Sequence, residues 1–252
     1  MDKNSTLQLH IAVQYISTAG KNYVTHKEDD SHTNSGWNPE TSSFFSWTFN
    51  SGGSLSFHTK QMELEWHGKV PGTFALIGRT HAEVLRWLEE MSIKNDLSKF
   101  VFSLHYDLEF GDIKNDFKFS AQNHEFIEEH AACRTASLRA CTEVLSQMDL
   151  ESEVRTWPHH FDTGAFATFP DGAVSVGFGL AIPDEMSEDF YLYCSAYKGD
   201  DGVETSNMPA LSKGEWKEGK WTGAMLSADG LRTSDHHLFF FESIDAFQQK
   251  TT

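Results

Sequence analysis

The clearest pattern in the chain is an apolar stripe over residues 121–148, where apolar positions recur in alternating four- and three-residue steps. Such spacing places side chains on one face of an α-helix. It predicts a long helix that covers a sheet, with Leu138 and Leu145 buried. Arg134 is the one polar member, and its stem is expected to pack while its guanidinium reaches solvent or a carboxylate. The stripe consists of Ile127, Ala131, Arg134, Leu138, Cys141, Leu145 and Met148.

The residues before this helix show shorter patterns, most of them typical of strands. Residues 7–19 fit both periods, and Gly20, which resembles a helix stop, favours a helix there. Residues 25–41 are polar and predict a long loop. Thr80 and Glu83 form a capping box, which predicts the start of a further helix. Strands are predicted over residues 44–49, 54–66 with a break near 59–60, 74–77 and 100–108.

The residues after the long helix are almost all of strand type. Pro170-Asp171-Gly172 predicts a turn between two of these strands, and Gly177 and Gly179 share a strand face that lacks side chains. Strands are predicted over residues 165–169, 173–182, 189–197, 221–228 and 237–241.

These elements predict an α+β fold. A largely antiparallel sheet from both halves of the chain is covered by the helix over about 121–148. Shorter helices are expected near residues 80–91 and 243–249. No linker rich in proline, glycine and serine separates the halves, so a single domain over residues 1–252 is expected, built of halves of about 1–119 and 120–252.

Composition narrows the classes of function. The chain of 252 residues has 37 acidic and 20 basic residues and a net charge of −17, which disfavours nucleic-acid and membrane-surface partners. No apolar run approaches the roughly 20 residues that span a bilayer, and the residues after Met1 lack the basic stretch and apolar core that predict a signal peptide. The three cysteines form no Cys-x-x-Cys pair. These features predict an acidic cytoplasmic protein that needs no cofactor, and they leave its oligomeric state open.

The order of features over most of the chain resembles a family of uncharacterised bacterial cytoplasmic proteins known only as a domain of unknown function. The resemblance lies in the early helix, the capped helix, the long helix and then three strands: His160–Asp162, Val174–Gly179 and Phe190–Tyr197. The chain departs from that pattern in its acidic segment Lys27–Asp30 and in the second histidine beside His160. The resemblance implies an architecture but no activity and no catalytic residue.

The densest chemistry lies in Trp157-Pro158-His159-His160-Phe161-Asp162. If this segment is a strand entered at about His159, His160 and Asp162 share one face. With His237 from a second predicted strand they would supply two imidazoles and a carboxylate, a ligand set of zinc and non-haem iron. The alternative is that His160 and Asp162 hydrogen-bond within the sheet. Because Trp157 precedes proline, it is expected to be extended.

A second hypothesis combines the glycine face with aromatic side chains. Tyr191, Tyr193 and Tyr197 share a face of a neighbouring strand, and with Trp157, His160 and Asp162 they could line a cleft for a small organic ligand. The alternative is that the long helix packs on the glycines. The leading prediction is therefore a cytoplasmic small-molecule binding protein. There are two alternatives: a metal-dependent enzyme that uses the His-His-Phe-Asp strand, and an oligomeric interaction module that uses sheet edges. The sequence therefore leaves open whether the protein is an enzyme.

Overall fold

The structure, a computed structural model, describes residues 3–251 and confirms the α+β class. Within those residues lie four α-helices and two antiparallel sheets, of five and seven strands. Both halves contribute antiparallel strands, as predicted, but the strands form two separate sheets. The chain divides into two compact units. The first contains the chain up to Ala131 and the segment Thr156–His160, and the second contains Ala132–Arg155 and the chain from Phe161 onward.

The first unit consists of two helices and a five-stranded sheet whose strands pair in chain order, β1 to β5, all antiparallel. A 3₁₀ turn at Ser31–Thr33 and strand β1 interrupt the loop predicted over residues 25–41. The elements are α1 Lys3–Tyr23, β1 Gly36–Asn38, β2 Ser43–Phe45, β3 Ser54–His58, β4 Glu63–His67, β5 Gly72–Ala75 and α2 His81–Lys94.

Helix α1 confirms the helical alternative for residues 7–19, but Gly20 does not end it. The helix continues to Tyr23. A Cβ atom at Gly20 would lie 2.4 Å from the carbonyl oxygen of His32, so glycine allows the 3₁₀ turn to approach the helix backbone. At the start of α2, Thr80 and Glu83 form the predicted capping box.

The second unit is organised around the seven-stranded sheet, which has the order β11-β12-β9-β8-β7-β6 with β10 beside β9. Its strands are β6 Arg155–Trp157, β7 Asp162–Thr168, β8 Ser175–Ala181, β9 Tyr191–Lys198, β10 Asp201–Gly202, β11 Glu215–Lys217 and β12 Gly223–Ser227. The long helix is α3 His124–Gln147, and the last helix is α4 Thr233–Thr251. The part of α3 up to Ala131, and Thr156 and Trp157 of β6, belong to the first unit.

Helices α3 and α4 cover one face of this sheet, which we call the inner face. Arg134 of α3 donates a hydrogen bond to Thr163 of β7, and Phe240 of α4 contacts Phe178 of β8 at a ring-centroid distance of 5.4 Å. Thr163 and Phe178 both point to this face, because Thr163 pairs with Leu180 and Ala165 with Phe178. The core of the second unit therefore lies between the inner face and the two helices.

The predicted stripe of α3 is correct in position but not in every detail. Leu145 is buried as expected, whereas Leu138 is only half-buried. Arg134 is completely buried, which excludes solvent as the destination of its guanidinium and leaves the carboxylate alternative a prediction.

Two predicted strands do not form. Residues 237–241 belong to α4, because a short apolar run fits either period and here Phe239, Phe240 and Phe247 are buried at helical spacing. Residues 100–108 have no strand partner. At Val101 the backbone N–H and C=O instead bond the side chain of Asn22 on α1, at 2.9 and 3.1 Å.

Candidate functional site

The His-His-Phe-Asp segment is a turn followed by the first residue of a strand. Trp157 ends β6 and is extended, as predicted, but Pro158 to Phe161 form a turn and β7 begins at Asp162. Phe161 has a φ of 57°, which lies in the left-handed region and not in the region of extended strands. The prediction that His160 and Asp162 share a strand face is therefore wrong.

The turn is anchored within the first unit by its proline. The carbonyl oxygen of Pro158 accepts hydrogen bonds from Gln14 Nε2 and His10 Nε2, at 2.8 and 2.7 Å. His160 is exposed, and His159 is half-buried against Tyr106. Burial, followed by the neighbouring His160, lowers the pKa of His159 to about 4. The two hydrogen bonds to the Pro158 carbonyl and the positive φ of Phe161 therefore hold residues 158–161 in a turn rather than a strand.

The metal hypothesis built on this segment loses its geometric basis. It required His160 and Asp162 on one strand and His237 on another. His237 instead lies on α4, where its Nε2 is 3.0 Å from Gln147 Oε1. The three predicted ligands thus lie on a turn, a strand and a helix.

Asp162 and Tyr193 form the polar pair of the outer sheet face, the face opposite α3 and α4. The Tyr193 hydroxyl donates a short hydrogen bond to Asp162 Oδ2. Burial and then the negative charge of Asp162 raise the pKa of Tyr193 well above its ordinary value, so the hydroxyl keeps its proton. The same carboxylate favours the charged form of Arg134, whose pKa burial lowers to about 9.

Two glycines make room for this pair. Tyr193 pairs with Gly179, and Gly179 pairs with Gly164, so the three residues form a row across β9, β8 and β7. A Cβ at Gly164 would lie 2.9 Å from the Tyr193 hydroxyl, and one at Gly179 would lie 2.3 Å from Thr163 O. Side chains in this row would block the tyrosine from reaching Asp162. Because α3 contacts the inner face, the alternative in which that helix packs on the glycines is wrong.

Gly177 lies in the next row and is differently surrounded. A Cβ there would meet Phe166, Ser195 and Tyr197 at 3.5–3.8 Å, which is ordinary van der Waals contact. The Phe166 ring is 50% exposed, and its centroid lies 6.1 Å from that of Tyr197. The two rings contact each other and cover Gly177, which is buried, and we call this side-chain-free position beneath the two rings the Gly177 site. Phe166 was not among the predicted site residues, although its alternation with Gly164 in β7 was visible in the sequence.

The other predicted aromatic residues do not belong to the Gly177 site. Tyr191 shares its sheet face but is only 4% exposed, and its hydroxyl donates to Asp184 at 2.7 Å. Trp157 is half-buried in the first unit. A groove of about 420 Å³ along α2 contains none of the predicted site residues; among the side chains that line it are Leu85, Arg86, Glu89, Lys99 and Phe102.

Comparison of the chain with family models, with curated proteins and with solved structures found no match. The resemblance to a family of unknown function therefore stays a prediction. No helix among residues 3–251 is both long enough and apolar enough to cross a membrane.

Proposed function

We propose that the protein binds a small planar organic molecule at the Gly177 site. The observation that carries this proposal is a position without a side chain beneath two rings in contact, of which Phe166 is exposed and can rotate aside to admit a ligand next to Tyr197. A glycine floor lets a flat molecule approach the sheet backbone closely. The flanking rings provide surfaces for stacking or edge contact.

Polar groups at the site's border would orient the ligand. Ser195 Oγ lies 3.0 Å from the Tyr197 hydroxyl. Tyr193 stands one row away from Gly177, and its partner Asp162 stands one row further. A few polar groups in an otherwise apolar surface are typical of ligand sites. The carboxylate and the net charge of −17 favour a neutral or cationic ligand over an anionic one. The proposal therefore retains Asp162, Tyr193 and Tyr197 from the sequence prediction. It leaves out Trp157, His160 and Tyr191 and adds Phe166.

A matched pair of glycine substitutions tests the proposal. Gly177→Val would fill the floor. A Cβ there makes only ordinary contacts, and a circular dichroism spectrum like that of the unmodified protein would show that the larger side chain leaves the fold intact. Gly202→Val is the control, because a Cβ at Gly202 in β10 meets nothing within 4 Å. Thermal-shift and NMR titrations with indole, tryptamine and adenine should detect binding to the unmodified protein and to Gly202→Val, and none to Gly177→Val.

Two results would contradict it. If a compound binds Gly177→Val as tightly as it binds the unmodified protein, its binding site lies elsewhere. If no planar compound binds and native mass spectrometry shows an oligomer that Phe166→Ser dissociates, the exposed ring belongs to a subunit interface, as the interaction-module alternative requires.

A further inference from the structure

His26, Asp30 and His32 converge in the first unit around the 3₁₀ turn. One ligand atom from each side chain, a ring nitrogen or a carboxylate oxygen, lies within 4.8 Å of the other two. The two imidazole rings are 4.8 Å apart and nearly perpendicular, at 78°. We propose that these three side chains bind a divalent transition-metal ion, with Zn²⁺ as the best match. Two imidazoles and one carboxylate are a ligand set that zinc and ferrous iron both use in proteins.

The side chains need only a small movement to close on an ion. Tetrahedral zinc, with bonds of about 2.0–2.2 Å, places its ligand atoms roughly 3.4 Å apart. The present separations of up to 4.8 Å must therefore shrink by at most about 1.4 Å. His26 is exposed and Asp30 half-buried, so both can rotate towards His32, which is only 3% exposed.

The backbone between the ligands is held in place without the metal. Asp30 has a φ of 55°, in the left-handed region that aspartate tolerates better than most residues. Its carbonyl oxygen accepts from Thr33 N and Thr33 Oγ1, at 2.9 and 2.8 Å. Trp47 Nε1 donates to Ser31 O at 2.8 Å, and the carbonyl of His32 rests against Gly20. The loop therefore presents its ligands from a defined conformation, which reduces the entropy lost on binding.

One hydrogen bond of His32 has to break when the ring binds a metal ion. Its Nδ1 accepts that bond from Lys27 N at 3.3 Å. Metal at Nδ1 would displace that bond, and metal at Nε2 would put the ring proton on Nδ1, so the bond is lost in either case. At 3.3 Å it is a long bond, and losing it costs little.

His105 lies beside the cluster as a positioning residue. Its Nε2 is 3.5 Å from Asp30 Oδ2, so it can orient the carboxylate without binding the ion itself. Three protein ligands leave a position on tetrahedral zinc open to water, as in catalytic rather than purely structural sites.

Zinc binding by untagged, metal-free, full-length protein tests the proposal. Competition against a chromophoric chelator should show one tightly bound Zn²⁺ per chain, and Co²⁺ should give the absorption spectrum of a tetrahedral site. A residue that only hydrogen-bonds a metal ligand typically contributes ~10–100-fold to metal affinity. His105→Ala should weaken zinc binding within that range, and His26→Ala and Asp30→Asn should each weaken it by more. His124→Ala is the control, because His124 is an exposed histidine outside the cluster and the substitution should leave affinity unchanged.

His26→Ala and Asp30→Asn carry the test because both side chains reach the surface, and asparagine tolerates the left-handed conformation at position 30. Absence of stoichiometric zinc binding by the unmodified protein would overturn the proposal. It would also be overturned if both variants kept the unmodified affinity, since the ion would then lie among the other histidines. Neither result depends on the Gly177 site.

Discussion

Acid should destabilise the first unit through His81, the first residue of α2. The side chain is only 2% exposed and shares a hydrogen bond of 2.8 Å between its Nδ1 and the Tyr15 hydroxyl. Burial lowers its pKa from 6.5 to about 4. The N-terminus of a helix is also an unfavourable place for a positive charge. Because the folded-state pKa lies below the unfolded one, the unfolded chain takes up the proton first as the pH falls.

The size of the effect follows from these two pKa values. Above pH 6.5 His81 is neutral in both states and does not lower the unfolding free energy. As the pH falls from 6.5 towards 4, protonation of the unfolded chain lowers the unfolding free energy. The loss amounts to roughly 2 kcal/mol near pH 5 and approaches about 3 kcal/mol below pH 4. His159 has a similarly lowered pKa in the same unit, so only a comparison of variants isolates the contribution of His81.

Urea denaturation followed by tryptophan fluorescence measures this contribution, since five of the seven tryptophans lie in the first unit. His81→Asn keeps a polar atom near the position of Nδ1 but does not titrate. Between about pH 7.5 and about pH 5 the unmodified protein should lose roughly 2 kcal/mol more unfolding free energy than His81→Asn. His124→Asn, at the exposed start of α3, should behave like the unmodified protein. An equal loss in His81→Asn would show that the buried imidazole does not resist protonation.

Further substitutions test the second unit by urea denaturation. Arg134→Met should lower the unfolding free energy by about 1.5–3 kcal/mol, because it removes a buried cation that donates hydrogen bonds to Thr163 Oγ1 and the Phe161 carbonyl; a change below about 0.5 kcal/mol would show that these bonds contribute little. Gly179→Ala should lower the unfolding free energy by about 1–3 kcal/mol, because its Cβ would clash with the neighbouring strand. Gly177→Ala should change it little. Equal losses for the two variants would contradict the difference in space around the two glycines. Leu145→Ala should cost about 2–5 kcal/mol and more than the substitution at half-buried Leu138, and the reverse order would place the stripe on the wrong face.

Features that depend on neighbours in sequence were predicted well. The capping box of Thr80 and Glu83 uses atoms three residues apart, and it marks the start of α2 correctly. The turn at residues 170–172 lies between β7 and β8 where the proline, aspartate and glycine predict it. Both signals are local, so no distant part of the chain was needed to interpret them.

The candidate sites were predicted less well, because each one combines distant segments. Alternation indicated that Tyr193 and the strand glycines point to one face of their own strands. Only the register of β7, β8 and β9 shows that Tyr193 crosses Gly179 and Gly164 to reach Asp162, and that Phe166 stands beside Gly177. The histidine cluster gave a weaker signal, His-x₃-Asp-x-His in a polar loop, which sequence periodicity alone does not distinguish from solvated surface.

The sequence by itself determined the α+β class, the long apolar stripe of α3, the capped start of α2 and an acidic surface. These properties follow from composition and from interactions between residues a few positions apart. The tertiary structure decided that the strands form two sheets, that His160 lies in a turn, and that residues 237–241 are helical. Strand pairing and burial join residues far apart in the chain, and a short apolar or histidine-rich run is compatible with several such partners until the fold selects one.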